Sequence, residues 1–449
     1  MINTQTAQIP YPAPVDPARF APDLAEPETF YGLPREIRFC ARCGYSNQKP
    51  NSEKEFKHNI NTRKPTVEFD EHGICAACRV ADVKKTIDWS ERRRQLTALC
   101  DKYRRHDGHY DCLVPGSGGK DSFYAAHKLK YEFGMNPLTV TWAPHIYTDW
   151  GWQNFQAWIH AGFDNYLFTP NGRVHRLLTR LAIEKLFHPF QPFIMGQMYF
   201  PPRMAVQMGI PLVFYGENPT EYGNNSKENA SAKKDLAYFT SADRDDFYVS
   251  GVPVSELMNE FGLSKLDLDP YLPLEPELIK GKQIDVQYLG YYIPWHPQEC
   301  YYYAVEHGGF RAAPERTAGT YSKYSSIDDK IDDLHYYTTF IKFGIGRATY
   351  DASQEARNGD ITRDEAIALI RRYDGEYSER FEKDNFAYLS LPEKEFPLAA
   401  QRFEQPIVDR EYFERLTDKF RSPHIWMLKD GAWKLRRAIY DSAPDTPND

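Results

Sequence analysis

No stretch of this chain approaches the ~20 consecutive apolar residues that a bilayer-spanning helix needs, so no membrane role is expected. The opening residues, MINTQTAQIPYPAPVDPARF, lack the basic start and apolar core of a secretory signal. A cytoplasmic location is the expectation. In that reducing compartment, seven cysteines argue for metal ligation or free thiols over disulfides. Positive charge is also short. Sixty-three acidic side chains against 55 basic ones leave a net charge of −8, so no overall basic field draws nucleic acid. Internal repeats are absent. Aromatic residues, by contrast, make up 15% of the chain. Rings at that density serve a Tyr-rich core, or surfaces on which a sugar or base stacks.

A length of 449 residues suits two or three domains. Residues 1–36 are rich in Pro, Ala and acidic side chains without amphipathic period, and read as an extended arm, one that could wrap on a neighbouring subunit and so fit a homo-oligomer. Residues 37–87 hold two cysteine pairs. From 88 to 108 a charged amphipathic helix is expected, opened by Asp88 or Ser90. Short apolar runs at 110–116, 137–144, 165–170 and 211–217 read as buried strands. Helical patterns lie between them at 121–133, 149–160 (Asp149 a plausible cap), 173–187 and 198–208. This alternation over residues 88–225 predicts an α/β domain with a parallel sheet and helices on both faces, with ligands at the carboxyl ends of the strands. Residues 226–440 read as a substrate-binding insertion followed by a mostly helical region. Thr362 and Glu365 form a capping box there, and 441–449 is expected to be a disordered tail.

The joint LVPGSGGKDSFYAA runs from strand through glycines into helix, the usual build of an anion site. It is neither of two common phosphate loops. A Walker A loop would have Gly where Val114 stands and Ser or Thr where Asp121 stands. A dinucleotide fingerprint would have its third glycine at Asp121. Gly116, Gly118 and Gly119 let successive N–H groups face one anion. Ser117 and Ser122 add hydroxyls, Lys120 a cation and the following helix its positive end. Asp121 either approaches a metal ion or caps its helix.

Cys40 and Cys43, in CARC, and Cys75 and Cys78, in CAAC, form two CxxC knuckles 31 residues apart. Two knuckles complete a tetrahedral S₄ site, and structural Zn²⁺ in a ribbon-like segment is the expectation. Cys100, Cys112 and Cys300 are isolated and read as packing residues.

The Ser117–Ser122 run resembles the PP-loop of the N-type ATP pyrophosphatases, the superfamily of asparagine synthetase, GMP synthetase and tRNA thiolation enzymes. Together with FCARCGYSNQKPN, DEHGICAACR, FDNYLFTPNGRVHR, YGENPTEYG and IKFGIGRATYDAS, it resembles the N-acetyl sugar amidotransferases of lipopolysaccharide O-antigen and of pseudaminic and legionaminic acid modification, over about residues 37–380. The resemblance implies binding of ATP and Mg²⁺, cleavage at the α-phosphate, and release of AMP and pyrophosphate. It implies that the acetamido group of a nucleotide-activated N-acetyl sugar becomes an acetamidino group through an O-adenylyl imidate. Ser117, Gly118, Gly119, Lys120, Asp121 and Ser122 map onto the pyrophosphate loop, with Lys120 and Asp121 also in catalysis. Glu217 and Asn218 map onto the GEN phrase, where a carboxylate orients ammonia, holds Mg²⁺ or caps a turn. Lys342 and Arg347 either grip nucleotide phosphates or form a surface turn, and His145, Asp149 and Asn154 fall where the superfamily binds adenosine.

The chain has no N-terminal Cys and no lone Cys in a nucleophile elbow. Ammonia then comes from solution or from a separate glutaminase, and the resemblance implies the latter, a glutaminase and cyclase-like partner pair. Two other readings compete. A PP-loop sulfurtransferase needs a persulfide-bearing cysteine, for which Cys300 is the candidate, and a basic RNA face. A non-enzymatic zinc-ribbon adaptor needs no intact SGGKDS.

Overall fold

The computed structural model describes residues 7–51, 55–216, 219–223, 231–244, 246–282, 284–391 and 403–442. Glu217, Asn218 and the last seven residues of the expected tail lie outside them.

The centre is a six-stranded sheet. Its parallel strands are β1 (Cys112–Pro115), β2 (Pro137–Trp142), β3 (Asp164–Phe168), β4 (Leu212–Tyr215) and, after the two-residue β5 (Lys233–Lys234) and a small hairpin of β6 (Tyr248–Val249) and β7 (Val252–Pro253), β8 (Asp285–Tyr288). The order is β3-β2-β1-β4-β8-β5, with β5 antiparallel at the edge. All four strands read from the sequence are present, but β3, beside β2 at the sheet's edge, is largely exposed and not buried as expected. Two more come from beyond residue 225, where four- and two-residue strands leave too little alternation to read.

Strands β1 and β4 each feed two cores, because their side chains alternate between faces. Leu113 and Val213 point into a cluster with Trp142, Leu177, Leu181 and Tyr199, from β2 and the helices α5 (Gly172–Leu186) and α6 (Gln191–Met208) as numbered below. Cys112, Val114, Leu212 and Phe214 point the other way, onto Phe123, Leu129, Trp158 and Ala304.

The first four helices are α1 (Ala76–Lys85), α2 (Trp89–Tyr103), α3 (Lys120–His127) and α4 (Asp149–His160). Asp88 caps α2 through the Glu91 N–H, at 3.0 Å. For α4 the cap is Thr148, not Asp149, its hydroxyl accepting from the Gly151 N–H at 2.9 Å; Asp149 is the exposed first helical residue. α6 is longer than its sequence suggests. Pro192 starts it in the first turn, where no N–H is needed, and Pro201 and Pro202 are carried in its interior instead of ending it.

Beyond the sheet the chain is mostly helical, ending in a hairpin of β9 (Trp426–Lys429) and β10 (Ala432–Leu435). The N-terminal arm lies along this region of its own chain. Phe20 is buried among Phe343, Tyr412 and Trp426, with Trp433 edge-on at 4.8 Å, and the Arg436 guanidinium donates to the Ala21 carbonyl at 2.7 Å. Burying that one ring stabilises the wrap by roughly 1.5–3 kcal/mol.

Candidate active site

Strand order reverses between β1 and β4, the switch point at which open α/β sheets bind ligands. The glycine loop leaves β1 there. The Gly116 N–H donates to the Val140 carbonyl at 2.9 Å, and a Cβ at 116 would stand 2.0 Å from the Trp158 ring. Gly118 has φ +89°, and a Cβ would meet the Asn154 carbonyl at 2.7 Å. Only glycine fits either place. Gly119 is the N-cap of α3, so the first-turn N–H groups of that helix open on the space beyond the sheet.

That space is a cavity of ≈ 530 Å³. Ser117, Gly118, Gly119, Lys120 and Asp121 form one wall. Ser122 is not on the wall; its hydroxyl turns back to the Gly119 carbonyl at 3.0 Å and steadies the turn. The Lys120 ammonium meets one Asp121 oxygen at 2.5 Å, and the other accepts from the Trp295 indole N–H at 3.0 Å. Asp121 is thus aimed across the loop by two donors.

The opposite wall comes from residues 322–355, a segment distant in sequence. It is fixed to the carboxyl ends of the strands by hydrogen bonds. The Lys330 N–H donates to the Ile146 carbonyl, Thr148 N–H to the Asp328 carbonyl, and Asp329 receives the His145 backbone and ring N–H at 2.6 and 2.7 Å. A Cβ at Gly151 would collide with the Asp328 backbone, at 2.5 Å, so this approach also requires glycine. The Ser117 hydroxyl donates to Asp328 Oδ2 at 3.0 Å, joining the loop to the far wall. Burial, then the charge of Asp329, raises the Asp328 carboxyl above the usual carboxylate range.

Arg347 stands on the cavity at the start of the helix Arg347–Asn358. Its Nε donates to Asp351, and Nη1 donates to the Tyr336 hydroxyl. Burial works against its charge, but Asp351, Tyr336 and Asp332 hold the guanidinium firmly protonated. Lys342 is elsewhere. It is buried at the end of the helix Asp332–Phe343, its ammonium donating to the Leu186 carbonyl at 2.7 Å, and it is not on the cavity. The Gly344-Ile345-Gly346 corner separates the two cations. Asn154 reaches the cavity wall, its amide exchanging hydrogen bonds with the Arg311 backbone; His145 lies behind Asp329. The acidic run 328–333 escaped the sequence reading, because carboxylates ahead of a helix ordinarily mean no more than a favourable N-terminal charge.

The four knuckle cysteines converge. Their sulfurs lie within 4.8 Å of one another, and all four residues are fully buried. Cys40 and Cys78 are 3.8 Å apart, Cys43 and Cys75 3.7 Å. A tetrahedron with ~2.3 Å metal–sulfur bonds has edges of ~3.8 Å, so the cradle fits one S₄-bound ion. The knot is tied to the cavity. Arg357, at the far end of the Arg347–Asn358 helix, donates to Cys43 Sγ at 3.8 Å. Lys84 of α1 pairs with Glu221 at 2.7 Å and donates to the Trp295 carbonyl at 3.0 Å. Lys49, between the knuckles, donates to the carbonyl of Tyr222, a cavity residue, at 3.0 Å. Cys100, Cys112 and Cys300 are buried packing residues, and among the described residues no cysteine lines the cavity.

Comparison with known proteins gives three findings. Residues 318–440 match the model of the C-terminal domain of WbpG-like lipopolysaccharide biosynthesis proteins. An uncharacterised protein of Methanocaldococcus jannaschii is 29% identical over 83 residues, which spans 18% of this chain and only 29% of that protein. Among solved structures, the U34-tRNA thiolase NcsA of Methanococcus maripaludis with its 4Fe–4S cluster aligns over 75% of this chain and 89% of its own, at 12% identity and a TM-score of 0.25, too loose a superposition to argue from. No helix among the described residues is long and apolar enough to cross a membrane. The matched segment begins just before the far wall of the cavity and supplies Asp328, Asp332 and Arg347 to it, facing the Ser117–Asp121 wall, so that the likeness to WbpG-like C-terminal domains covers one side of the cavity.

Proposed function

We propose that the protein is an ATP-dependent, AMP-forming amidotransferase, converting the acetamido group of a nucleotide-activated N-acetyl sugar into an acetamidino group. The observation that carries the reading is the glycine loop at the sheet's switch point, opening into a cavity whose other wall is the WbpG-like domain. An amide oxygen is a poor leaving group, and adenylation makes it a good one. ATP supplies that activation when bound. The chain's own part is to seat the β- and γ-phosphates on the α3 N-terminus, Ser117 and Lys120, and to stabilise charge as the α-phosphate transfers. In this reading Asp121 would be the residue that holds Mg²⁺. The Cys40, Cys43, Cys75 and Cys78 cradle would hold Zn²⁺ with no open position, which makes it structural.

Ammonia comes, in this reading, from a glutaminase and cyclase-like partner, and the reaction is cytoplasmic. A sulfurtransferase would need a thiol on the cavity, where the described residues place none. The test is pyrophosphate exchange into ATP with UDP- and CMP-linked N-acetyl sugars. Exchange dependent on one acceptor is expected; release of ADP and orthophosphate overturns the reading.

A further inference from the structure

Asp332 is a buried carboxylate without a donor. It opens the helix Asp332–Phe343, lines the cavity and is 9% exposed, and no described residue offers its oxygens a hydrogen bond or ion pair. The neighbouring buried carboxylates are all served. Asp329 receives His145, Asp328 receives Ser117, and Asp333 receives the Ser378 hydroxyl at 2.6 Å. Its oxygens open onto the cavity with no donor among the described residues facing them, which leaves them to a donor brought by a ligand.

The groups facing it are Asp328 and Asp329 from the preceding turn, Asp333 beside it and Arg347 from the next helix. Burial, then Asp328 and Asp329, raises its pKa well above the usual range, which suits a proton acceptor. The guanidinium that could neutralise it is already bonded to Asp351 and Tyr336. Among the described residues no group of three carboxylate, imidazole or thiol side chains gathers here that could hold a divalent ion by protein atoms alone. A small cation that brings its own N–H donors fits better.

Resting on the adenylation reading above, we propose that Asp332 receives the incoming ammonium and takes the proton that frees its lone pair. The nitrogen then forms the C–N bond at the imidate carbon. The C–O bond to the adenylyl group breaks, its electron pair leaving with AMP. One further proton moves from the new nitrogen to the imidate nitrogen, giving the amidinium, and Asp332 passes its own proton to solvent.

The test uses the full chain and two variants, Asp332→Asn and Asp332→Glu, with the sugar nucleotide that supports exchange in the unaltered protein and ammonium chloride as nitrogen donor. For Asp332→Asn, pyrophosphate exchange stays within about threefold while amidine formation falls about 100-fold or more. The acid limb of the amination pH profile disappears, and Asp332→Glu restores at least about a tenth of the lost rate. Amidine formation that is unchanged in Asp332→Asn overturns the proposal. So does exchange falling in step with amination and with Mn²⁺ affinity measured beside a non-hydrolysable ATP analogue, which would make Asp332 a metal ligand. Absence of exchange in the unaltered protein with every sugar tried overturns the adenylation reading itself, and this step with it.

Discussion

The thiol knot and the cavity it braces are built on opposite terms. In the knot, four fully buried sulfurs face one point and nothing is left over. In the cavity, Asp121, Asp328, Asp329, Asp332, Asp351 and Glu355 crowd against Lys120 and Arg347, and at least one of the carboxylates is unserved. A closed site contributes stability; an open one keeps strained charge for a substrate to relieve. The pair teaches where to look for chemistry: at the place the fold leaves unfinished.

Variants at the two sites should therefore fail differently. The largest effect is expected at the knot. Cys75→Ser, or extraction of the metal with a chelator, should cost several kcal/mol of stability and lower the melting temperature, since metal binding at such sites is folding energy. Metal content by mass spectrometry and thermal melting check it; an unchanged melt in metal-free protein would break the contrast. Next, Lys120→Ala should leave the melt within about 1 kcal/mol yet slow pyrophosphate exchange by about 10²–10³-fold, the usual loss for one charge-stabilising donor. Smaller is the effect of Asp374. It accepts the Gly346 and Thr349 N–H groups at the start of the Arg347–Asn358 helix, and burial lifts its carboxyl to about 6 despite those bonds. Folding then favours its protonated form, so stability is fullest below about 3.8 and declines as pH rises through about 6, by up to ~3 kcal/mol. Asp374→Asn should flatten that part of the pH–stability curve. The smallest change is a gain: Asp332→Asn should raise stability at pH 8 by about 1 kcal/mol, as removal of an unpaired buried charge does. A loss instead would mean that Asp332 is a structural part of the wall.

Much of this was written locally in the sequence. The glycine loop, the first four strands and the knuckles could be read because each is fixed by residues within a dozen positions. The rest depends on distance. Asp328 faces Ser117 only because hydrogen bonds between residues 327–330 and 145–148 bring them together across some 200 positions. Lys342 and Arg347 looked alike in one phrase, but the Gly344–Gly346 corner sends one to the Leu186 carbonyl and the other to the cavity. The arm's resting place was not legible either, since nothing in PYPAPVDPARF says that Phe20 will enter the cluster around Phe343 and Trp426. Glu217 and Asn218 fall outside the described residues.

One helix has a practical consequence. Arg347 to Arg357 is ten residues, about 15 Å of rise, and that rod has its first guanidinium in the cavity and its last against Cys43. The boundary of the matched domain, at residue 318, therefore cuts a working unit in two. A fragment expressed from there onward would keep the rod and Arg347's partners Tyr336 and Asp351, but lose Cys43 at one end and the Ser117–Asp121 wall facing the other.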